Sequence, residues 1–367
     1  MSPTNKPYQL YGWECSPYSS KVRSYLRYKN IPFKDIHPTI FGMKSVIEKR
    51  LGFMMIPILI APDDQTLQDS SHIIDTLEMA YPERSVLPAT PKQNLVSYLF
   101  ELLADEWLPI IAMHTRWNSH ENKIFAQGEF GHRALPFLPR FITNAIGKPI
   151  AKKMQSYLPV LGITENTMPE IDTWMVELFG QLDAHFAQHN FLLGTQPCLG
   201  DFALYGPLYA HVWRDPNWRS NFESYSHLNA WRERLGAPQE LNGAFLDDDV
   251  VPQTLWPVLE RMFKEQFPTL IETVHRINHY LDENPQPKRF PRGLGKLEFT
   301  LGKTKEQRTV MTFQQWMLQR TLDCYQKTTG DEKESVDRLL HEVGGHEAMQ
   351  IKPKYRLTRK NFRVVPQ

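Results

Sequence analysis

The sequence predicts an α/β domain, then an all-α domain, then an extension that mixes helix and strand. Residues 8–81 alternate between strand-like and helix-like stretches, whereas the apolar periodicity recognised in residues 93–235 is helical. Between these regions, residues 82–91 hold three prolines and no periodicity, which is typical of a linker. The predicted boundaries are 1–82 for the α/β domain, 83–92 for the linker, 93–235 for the all-α domain and 236–367 for the extension.

Composition limits the classes of function. With 41% hydrophobic and 23% charged residues, the chain has the balance of a folded globular protein. Its 42 lysines and arginines face 41 acidic residues, so no net field attracts nucleic acid or an anionic membrane, and we expect neither partner. No apolar run reaches the roughly 20 residues of a membrane span. The three cysteines lie far apart (Cys15, Cys198 and Cys324), which indicates a reduced, cytoplasmic protein.

The first domain is predicted to have the element order βαβαββα. A short aromatic strand is followed by Pro17, which opens a helix with an apolar face, and Ser70 is expected to cap the last helix. The stretch Ile56–Ala61 is a run of branched apolar residues, which is typical of a buried strand. The predicted elements are strands at Tyr8–Tyr11, Pro32–Ile36 and Ile56–Ala61, a short strand at Thr66 and Leu67, and helices from Pro17, over Met43–Leu51 and from Ser70.

The second domain and the extension are predicted from helical spacing and strand alternation. Leucines from Leu95 onward indicate a long helix interrupted at Pro109, and further helices are expected at 171–188 and 201–213. In the extension, a helix carries Leu270 and Leu281 on one face. Alternation over 297–301 predicts a hairpin with a turn at 302–307, a return strand at 308–312 and a helix at 313–327. The hairpin residues Phe299, Leu301 and Val310 should pack on that last helix and on the helical domain.

These features together resemble the glutathione S-transferase superfamily. The segment from Ser16 to Arg23 is similar to the first helix of serine-type and cysteine-type members, Ile56-Pro57 to the family's cis-proline step, and Asp69-Ser70 to its acidic-Ser pair. Residues 197–201 resemble the capping motif of the second domain. The resemblance covers roughly residues 8–235 and implies a thioredoxin-like first domain, a helical second domain, glutathione as co-substrate and a homodimer.

Two positions depart from the family pattern. Many members carry Lys, Gln or His where this chain has Met55, so the contact with the glycine carboxylate of glutathione must be lost or replaced. The cap position usually holds Ser or Thr, whereas this chain has Cys198, so only Asp201 retains the hydrogen-bonding chemistry of the motif.

Ser16 is the candidate catalytic residue. A residue directly before Pro17 occupies a helix N-cap, where free N–H groups and the helix dipole favour an anion. A thiol there can have its pKa lowered from about 8.5 to about 7.5 or below, and a serine hydroxyl that donates to the sulfur stabilises the thiolate. Cys15 is the alternative catalytic residue: as the terminal thiol it would form mixed disulfides with glutathione. An ordinary serine cap is the structural alternative.

Glutathione-binding and substrate-binding residues follow from the resemblance and from charge. Ser70 and Asp69 are expected to bind the carboxylate and the ammonium of the γ-glutamyl end, and Ile56, next to Pro57, to supply main-chain hydrogen bonds. The polar and aromatic segment after Leu103 is expected to receive the second substrate through its aromatic rings and one cation. The residues of this expected substrate region are Trp107, His114, Arg116 and Trp117. The alternative for Arg116 is an ion pair with Asp105 or Glu106.

The predicted function is glutathione transfer to a small electrophile. His341 and His346 are five residues apart, which does not match the four-residue spacing of a helical zinc motif, so no metal is expected. The alternatives are thiol exchange through Cys15 and a non-catalytic binding or assembly protein that uses the same fold.

Overall fold

The computed structural model describes residues 6–237 and 242–367 of the chain. It divides into two compact units, each built from three segments. The first unit comprises residues 1–86, 112–156 and 202–242, and the second comprises residues 87–111, 157–201 and 243–367. The domain boundaries drawn from the sequence stay a prediction, because the units interleave along the chain.

The first unit contains a four-stranded mixed sheet in the order β2-β1-β3-β4. β1 pairs with β2 in parallel, whereas β3 pairs with β1 and β4 in antiparallel register. This is the predicted βαβαββα thioredoxin-like domain. Its elements are β1 Tyr8–Tyr11, α1 Pro17–Tyr28, β2 Phe33–Ile36, α2 Ile40–Gly42, a π-helix Met43–Glu48, α3 Lys49–Leu51, β3 Ile58–Ile60, β4 Thr66–Gln68 and α4 Ser70–Ala80.

Local sequence explains these elements. α1 begins with Pro17 at a position where a missing N–H costs no helical hydrogen bond, and it buries Val22, Tyr25 and Leu26 on one face. All three residues of β3 are buried, as expected for a branched apolar strand in the middle of a sheet. The predicted cap of α4 is wrong by one residue: Asp69 is the N-cap and Ser70 is the first helical residue.

Helices make up the regular structure of the second predicted domain. α5 ends at Glu106 and α6 begins at Pro109, so the predicted interruption at Pro109 is confirmed. No helix among the described residues is both long and apolar enough to cross a membrane. The helices are α5 Pro91–Glu106, α6 Pro109–Asn118, α7 His120–Ala134, α8 Arg140–Gln155, α9 Met168–Phe186, α10 Leu199–Pro207, a π-helix Leu208–Trp213, α11 Pro216–Ser224 and α12 Ser226–Gly236.

The hairpin of α7 and α8 is absent from the sequence-based prediction. The two helices pack so closely that a Cβ atom on Gly131 would lie 1.7 Å from the Thr143 carbonyl oxygen. A Cβ atom on Gly147 would lie 1.9 Å from the carbonyl oxygen of Gln127. Glycine is therefore required at both positions, and the hairpin fixes α7, which carries Glu129 and Arg133.

Asp201 stabilises the start of α10 within the second unit. Its Oδ2 accepts a hydrogen bond from the Cys198 N–H at 2.9 Å, and its Oδ1 accepts one from the Leu192 N–H at 3.1 Å. The prediction that Asp201 carries the hydrogen bonding of this capping motif is confirmed.

The extension folds as the predicted mixture of helix and strand. Its elements are α13 Trp256–Arg261, a π-helix Met262–Gln266, α14 Phe267–Glu283, β5 Gly293–Leu301, β6 Thr304–Met311, α15 Phe313–Gln326, α16 Gly330–Glu342, β7 Leu357–Lys360 and β8 Arg363–Pro366, with short 3-10 turns at Asp247–Asp249, Gln253–Leu255 and Ala348–Gln350. The predicted turn at 302–307 is too long, because β6 already begins at Thr304 and Gly302 adopts the positive φ of a tight turn.

The β5–β6 hairpin is buried in the second unit. Phe299, Leu301 and Val310 are buried as expected, and the Phe299 ring meets Trp107 edge-to-face at 6.0 Å. β5 packs on α14, whereas we expected the hairpin to pack on the helix that follows it, α15. The second hairpin, β7–β8, was missed because its turn uses Asn361 and Phe362 in place of the usual Asn-Gly.

Candidate functional site

Three loops meet at one edge of the four-stranded sheet. Tyr11 of β1 pairs with Ile58 of β3, and Ile58 pairs with Gln68 of β4. The chain leaves β1 after Tyr11, enters β3 at Ile58 and leaves β4 after Gln68. Loop 12–16, the peptide bond before Ile58 and the start of α4 therefore share this edge.

Ser16 caps α1 at this edge, as predicted. Its backbone is extended (φ −96°, ψ 121°), and its Oγ accepts a hydrogen bond from the Ser19 N–H at 3.3 Å. In this bond the hydroxyl oxygen is the acceptor, so the hydroxyl proton can be donated to another group. The side chain is half-buried at the positive end of a 12-residue helix. Such a position suits a hydrogen bond to a sulfur anion.

The Ile56–Pro57 peptide bond is cis, which confirms the prediction at this step. Ile56 is half-buried and Pro57 is buried, directly before the first residue of β3. Met55 has no charge or amide group with which to bind a carboxylate, unlike the side chain that many family members carry here. Its Sδ accepts a hydrogen bond from Gln68 Nε2 at 3.4 Å. The Met55 side chain therefore joins the segment before β3 to the end of β4.

Asp69 and Ser70 form the start of α4. Asp69 has a positive φ of 80°, and its Oδ1 accepts hydrogen bonds from the N–H groups of Ser71 and His72 at 3.0 and 3.1 Å. Ser70 is 2% exposed, and its hydroxyl has no hydrogen-bond partner among the described residues. The carboxylate of Asp69 and the hydroxyl of Ser70 thus lie next to each other at the N-terminus of α4.

A buried lysine ties the two helix N-termini together. Lys21 of α1 donates a hydrogen bond from its Nζ to the Oγ of Ser71 in α4 at 3.1 Å. Lys21 lies five residues after Ser16, and Ser71 directly follows Ser70. Together with the strand register, this contact brings Ser16, Pro57, Asp69 and Ser70 to one region of the first unit.

Family models identify this arrangement. A model of the glutathione S-transferase N-terminal domain matches residues 10–85, and a model of the C-terminal domain matches residues 153–237. The chain belongs to the glutathione S-transferase superfamily. A search among curated proteins gave no match.

The chain is similar to several solved structures at low sequence identity. One from Rhodospirillum rubrum F11 is 14% identical, with 67% of this chain and 96% of that chain covered and a TM-score of 0.42. One from Methylobacterium radiotolerans JCM 2831, solved in complex with glutathione sulfonate, is 19% identical, with 67% and 100% covered and a TM-score of 0.38. The beta-etherase LigF from Sphingobium sp. strain SYK-6 is 18% identical, with 63% and 96% covered and a TM-score of 0.45.

Cys15, the alternative catalytic residue of this glutathione S-transferase family member, is enclosed by protein. Its side chain is buried, and its carbonyl oxygen accepts a hydrogen bond from Arg116 NH1 at 2.9 Å. Burial raises the pKa of the Cys15 thiol, and the cations of Arg116 and Arg214 oppose this shift only in part. A raised pKa lowers the fraction of thiolate at neutral pH, which disfavours thiol exchange at this residue.

Arg116 lies at the centre of a buried polar network in the first unit. It donates two hydrogen bonds to the carboxylate of Asp215, at 2.7 and 2.8 Å. Its NH1 is 3.0 Å from His211 Nε2, and because arginine cannot accept, this nitrogen of His211 must be unprotonated. Burial lowers the pKa of His211 well below its usual range, consistent with a neutral ring. The ion pair proposed with Asp105 or Glu106 is wrong, because the carboxylate partner is Asp215.

The predicted substrate-binding residues are divided between the two units. His114, Arg116 and Trp117 belong to the first unit, whereas Trp107 belongs to the second. Trp117 stacks on Phe130 with ring centroids 5.9 Å apart. Trp107 contacts the rings of Trp174 and Phe299. All four residues are buried, so their role towards a substrate stays a prediction.

A charged cluster beside loop 12–16 was missed by sequence reasoning. The carboxylate of Glu14 lies 2.8 Å from Arg133 and 3.5 Å from Arg214, and Glu129 is 3.1 Å from Arg214. Arg133 also approaches His37, whose pKa is lowered chiefly by burial. No local signal could have found these pairs, because Glu14 is 119 residues from Arg133.

The two histidines considered for a metal site, His341 and His346, lie next to each other. The rings of His341 and His346 stack with centroids 3.9 Å apart. Within residues 6–237 and 242–367, no group of three or more His, Cys, Asp and Glu side chains is arranged to hold a metal ion.

Proposed function

We propose that the chain is a glutathione transferase in which Ser16 stabilises the thiolate of glutathione for attack on a small electrophile. The observation that carries the proposal is the convergence of Ser16, cis-Pro57, Asp69 and Ser70 at one sheet edge, through the register of β1, β3 and β4. In the reaction the thiol loses its proton to solvent, the sulfur forms a bond to the electrophilic carbon, and the halide or another leaving group departs with the electron pair of the bond that breaks. The Ser16 hydroxyl donates to the sulfur anion and forms no covalent bond.

The γ-glutamyl end of glutathione fits the start of α4. Its carboxylate would accept hydrogen bonds from the Ser70 hydroxyl and backbone N–H, and its ammonium would meet the carboxylate of Asp69. Ile56 would hydrogen-bond the main chain of the peptide next to Pro57. Met55 offers no charge, so the glycine carboxylate would have to bind elsewhere. Electrophile binding by Trp107, His114, Arg116 and Trp117, a homodimer and a cytoplasmic location complete the proposal.

The decisive test of catalysis compares Ser16→Ala with Cys15→Ala in conjugation of a chromogenic aryl halide. Loss of a preorganised donor to an anion costs roughly 100- to 1,000-fold in rate, so Ser16→Ala should lose most activity while Cys15→Ala keeps it. Ser119→Ala is the matched control, because Ser119 caps α7 through the same kind of hydrogen bond, to Asn122 N–H. The reverse ranking of the first two variants would replace the proposal with thiol exchange.

Binding is tested separately by calorimetric titration with glutathione. Hydrogen bonds to a charged group contribute about 1.5 to 3 kcal/mol, so Ser70→Ala should weaken binding roughly 10- to 150-fold. Thr76→Ala, on the same helix, should bind as the parent does, because the Thr76 hydroxyl donates to the His72 carbonyl oxygen of its own helix. Equal affinity of the Ser70 variant and the parent would place glutathione elsewhere. If the parent binds no glutathione, the non-catalytic alternative is favoured.

A further inference from the structure

A polar cavity lies in the first unit, beside the face of α1 that carries Ser20, Arg23 and Arg27. The space in it that water can reach has a volume of about 20 Å³. Its lining residues are Glu14, Ser20, Arg23, Ser24, Arg27, Tyr205 and Tyr209. Two arginines and two tyrosines in a cavity of this size provide several donors for one small acceptor group.

Arg23 supplies a buried donor without a partner. The residue is 5% exposed, and its Nε and NH2 atoms donate to the carboxylate of Asp35 at 2.6 and 2.9 Å. The remaining nitrogen, NH1, is buried and has no hydrogen-bond partner among the described residues. A buried guanidinium N–H without an acceptor lowers the stability of the folded protein, so a ligand that accepts a hydrogen bond from NH1 would bind favourably here.

Neighbouring side chains define the chemistry of that acceptor. The hydroxyls of Ser20 and Ser24 donate to the carbonyl oxygens of Glu14 and Leu235, so their protons are already used. The Tyr205 side chain is 4% exposed, and its hydroxyl has no hydrogen-bond partner among the described residues. The Tyr205 and Tyr209 rings stack at 4.9 Å and form one wall.

The charges around the cavity favour an anion. The Arg23 cation is balanced by Asp35, and the Glu14 carboxylate is paired with Arg133 and Arg214. Arg27 is exposed and hydrogen-bonds through NH1 to the Gly236 carbonyl oxygen, which does not neutralise its charge. Among the residues that the structure describes, Arg27 therefore has no carboxylate partner.

We propose that this cavity is a binding site for a small oxyanion of phosphate size, held by Arg23 NH1, Arg27 and the Tyr205 hydroxyl. Its lining does not include Ser16, Pro57, Asp69 or Ser70, and the proposal does not depend on the binding of glutathione. Inorganic phosphate and the phosphate group of a larger molecule share this chemistry. They differ in that the rest of a larger molecule would have to extend through the open side of the cavity.

The test is calorimetric titration of the full chain with inorganic phosphate and with glycerol 3-phosphate, at constant ionic strength set with chloride. We expect saturable binding of phosphate, and Arg27→Gln and Tyr205→Phe should each weaken it roughly 10-fold or more. These two variants leave the Arg23–Asp35 pair intact, so folding should be preserved. Equal binding of glycerol 3-phosphate would identify a group on a larger ligand, whereas binding of phosphate alone would identify the free ion.

Two controls make the assignment specific. Arg276→Gln removes an exposed cation from α14 in the second unit and should leave phosphate affinity unchanged. Ser70→Ala should also leave it unchanged, which separates this cavity from the start of α4. The proposal is overturned if phosphate gives no saturable heat beyond the chloride control, or if Arg27→Gln and Tyr205→Phe bind phosphate as tightly as the parent does.

Discussion

Each unit of the molecule buries an arginine, and the two side chains differ in what surrounds them. Arg116 in the first unit is 1% exposed and donates to Asp215, to the Cys15 carbonyl oxygen and to His211. Arg308 in the second unit is fully buried, and none of its three side-chain nitrogens has a hydrogen-bond partner among the described residues.

The difference shows two ways to keep a cation inside a protein. Arg116 has a carboxylate in bidentate geometry, so removal of either partner would leave an uncompensated charge. The guanidinium carbon of Arg308 lies 4.8 Å from the ring centre of Trp107 and 5.6 Å from that of Phe299. Burial lowers the pKa of Arg308 to about 10, and only the charge of Glu106 opposes this shift. Aromatic faces compensate for lost hydration less completely than a carboxylate does.

The largest effect is expected for Arg116→Met. This change leaves the carboxylate of Asp215 buried without its cation, which should lower the free energy of unfolding by about 3 to 5 kcal/mol. Urea unfolding followed by circular dichroism measures the loss. The double variant Arg116→Met with Asp215→Leu should recover part of the loss, because no charge then remains unpaired. A single variant as stable as the parent would show that the pair contributes little.

A pH effect of intermediate size is expected from His185 in the second unit. Burial lowers the pKa of His185 to about 4, against about 6.5 in an unfolded chain. As the pH falls below 6.5, His185 therefore becomes protonated in the unfolded state but stays neutral in the folded state. The contribution of neutral His185 to the free energy of unfolding is complete above pH 6.5 and is lost as the pH falls towards 4. Between pH 7 and pH 5 the loss from this group should be about 2 kcal/mol.

Urea titrations of the parent and of His185→Gln at pH 7 and pH 5 measure this contribution. The variant should show a smaller change in unfolding free energy over this pH range, whatever its absolute stability. Identical pH dependence of the two proteins would mean that His185 accepts a proton in the folded state as readily as in the unfolded state.

The smallest effect, and one of opposite sign, is expected for Arg308→Met. The lowered pKa of Arg308 corresponds to a cost of about 3 kcal/mol for burying its charge, and loss of the contacts with Trp107 and Phe299 offsets part of the gain. With about 2 kcal/mol lost from these desolvated cation–π contacts, the variant should be about 1 kcal/mol more stable than the parent in the same unfolding assay. Strong destabilisation would indicate that a bound anion or water completes the surroundings of Arg308.

Much of the fold could be predicted because its signals are local. The alternation of strands and helices in residues 8–81, the cap at Ser16 and the interruption at Pro109 depend on residues no more than four positions apart. The predictions failed where a neighbouring residue decided the detail. Asp69 caps α4 in place of Ser70, and the hairpin turn closes at Gly302 and Lys303 because Gly302 adopts a positive φ.

The sequence by itself determined the element order of residues 8–81 and the helix cap at Ser16, because caps, prolines and apolar periodicity act within one or two turns of the chain. The candidate residues Pro57 and Asp69 came from the family resemblance. Tertiary structure alone decided which charges are paired. Arg116 and Asp215 are 99 residues apart, and Glu14 meets Arg133 from 119 residues away. The physical reason is that an ion pair depends on distance and burial in space, and spacing along the chain carries no record of either.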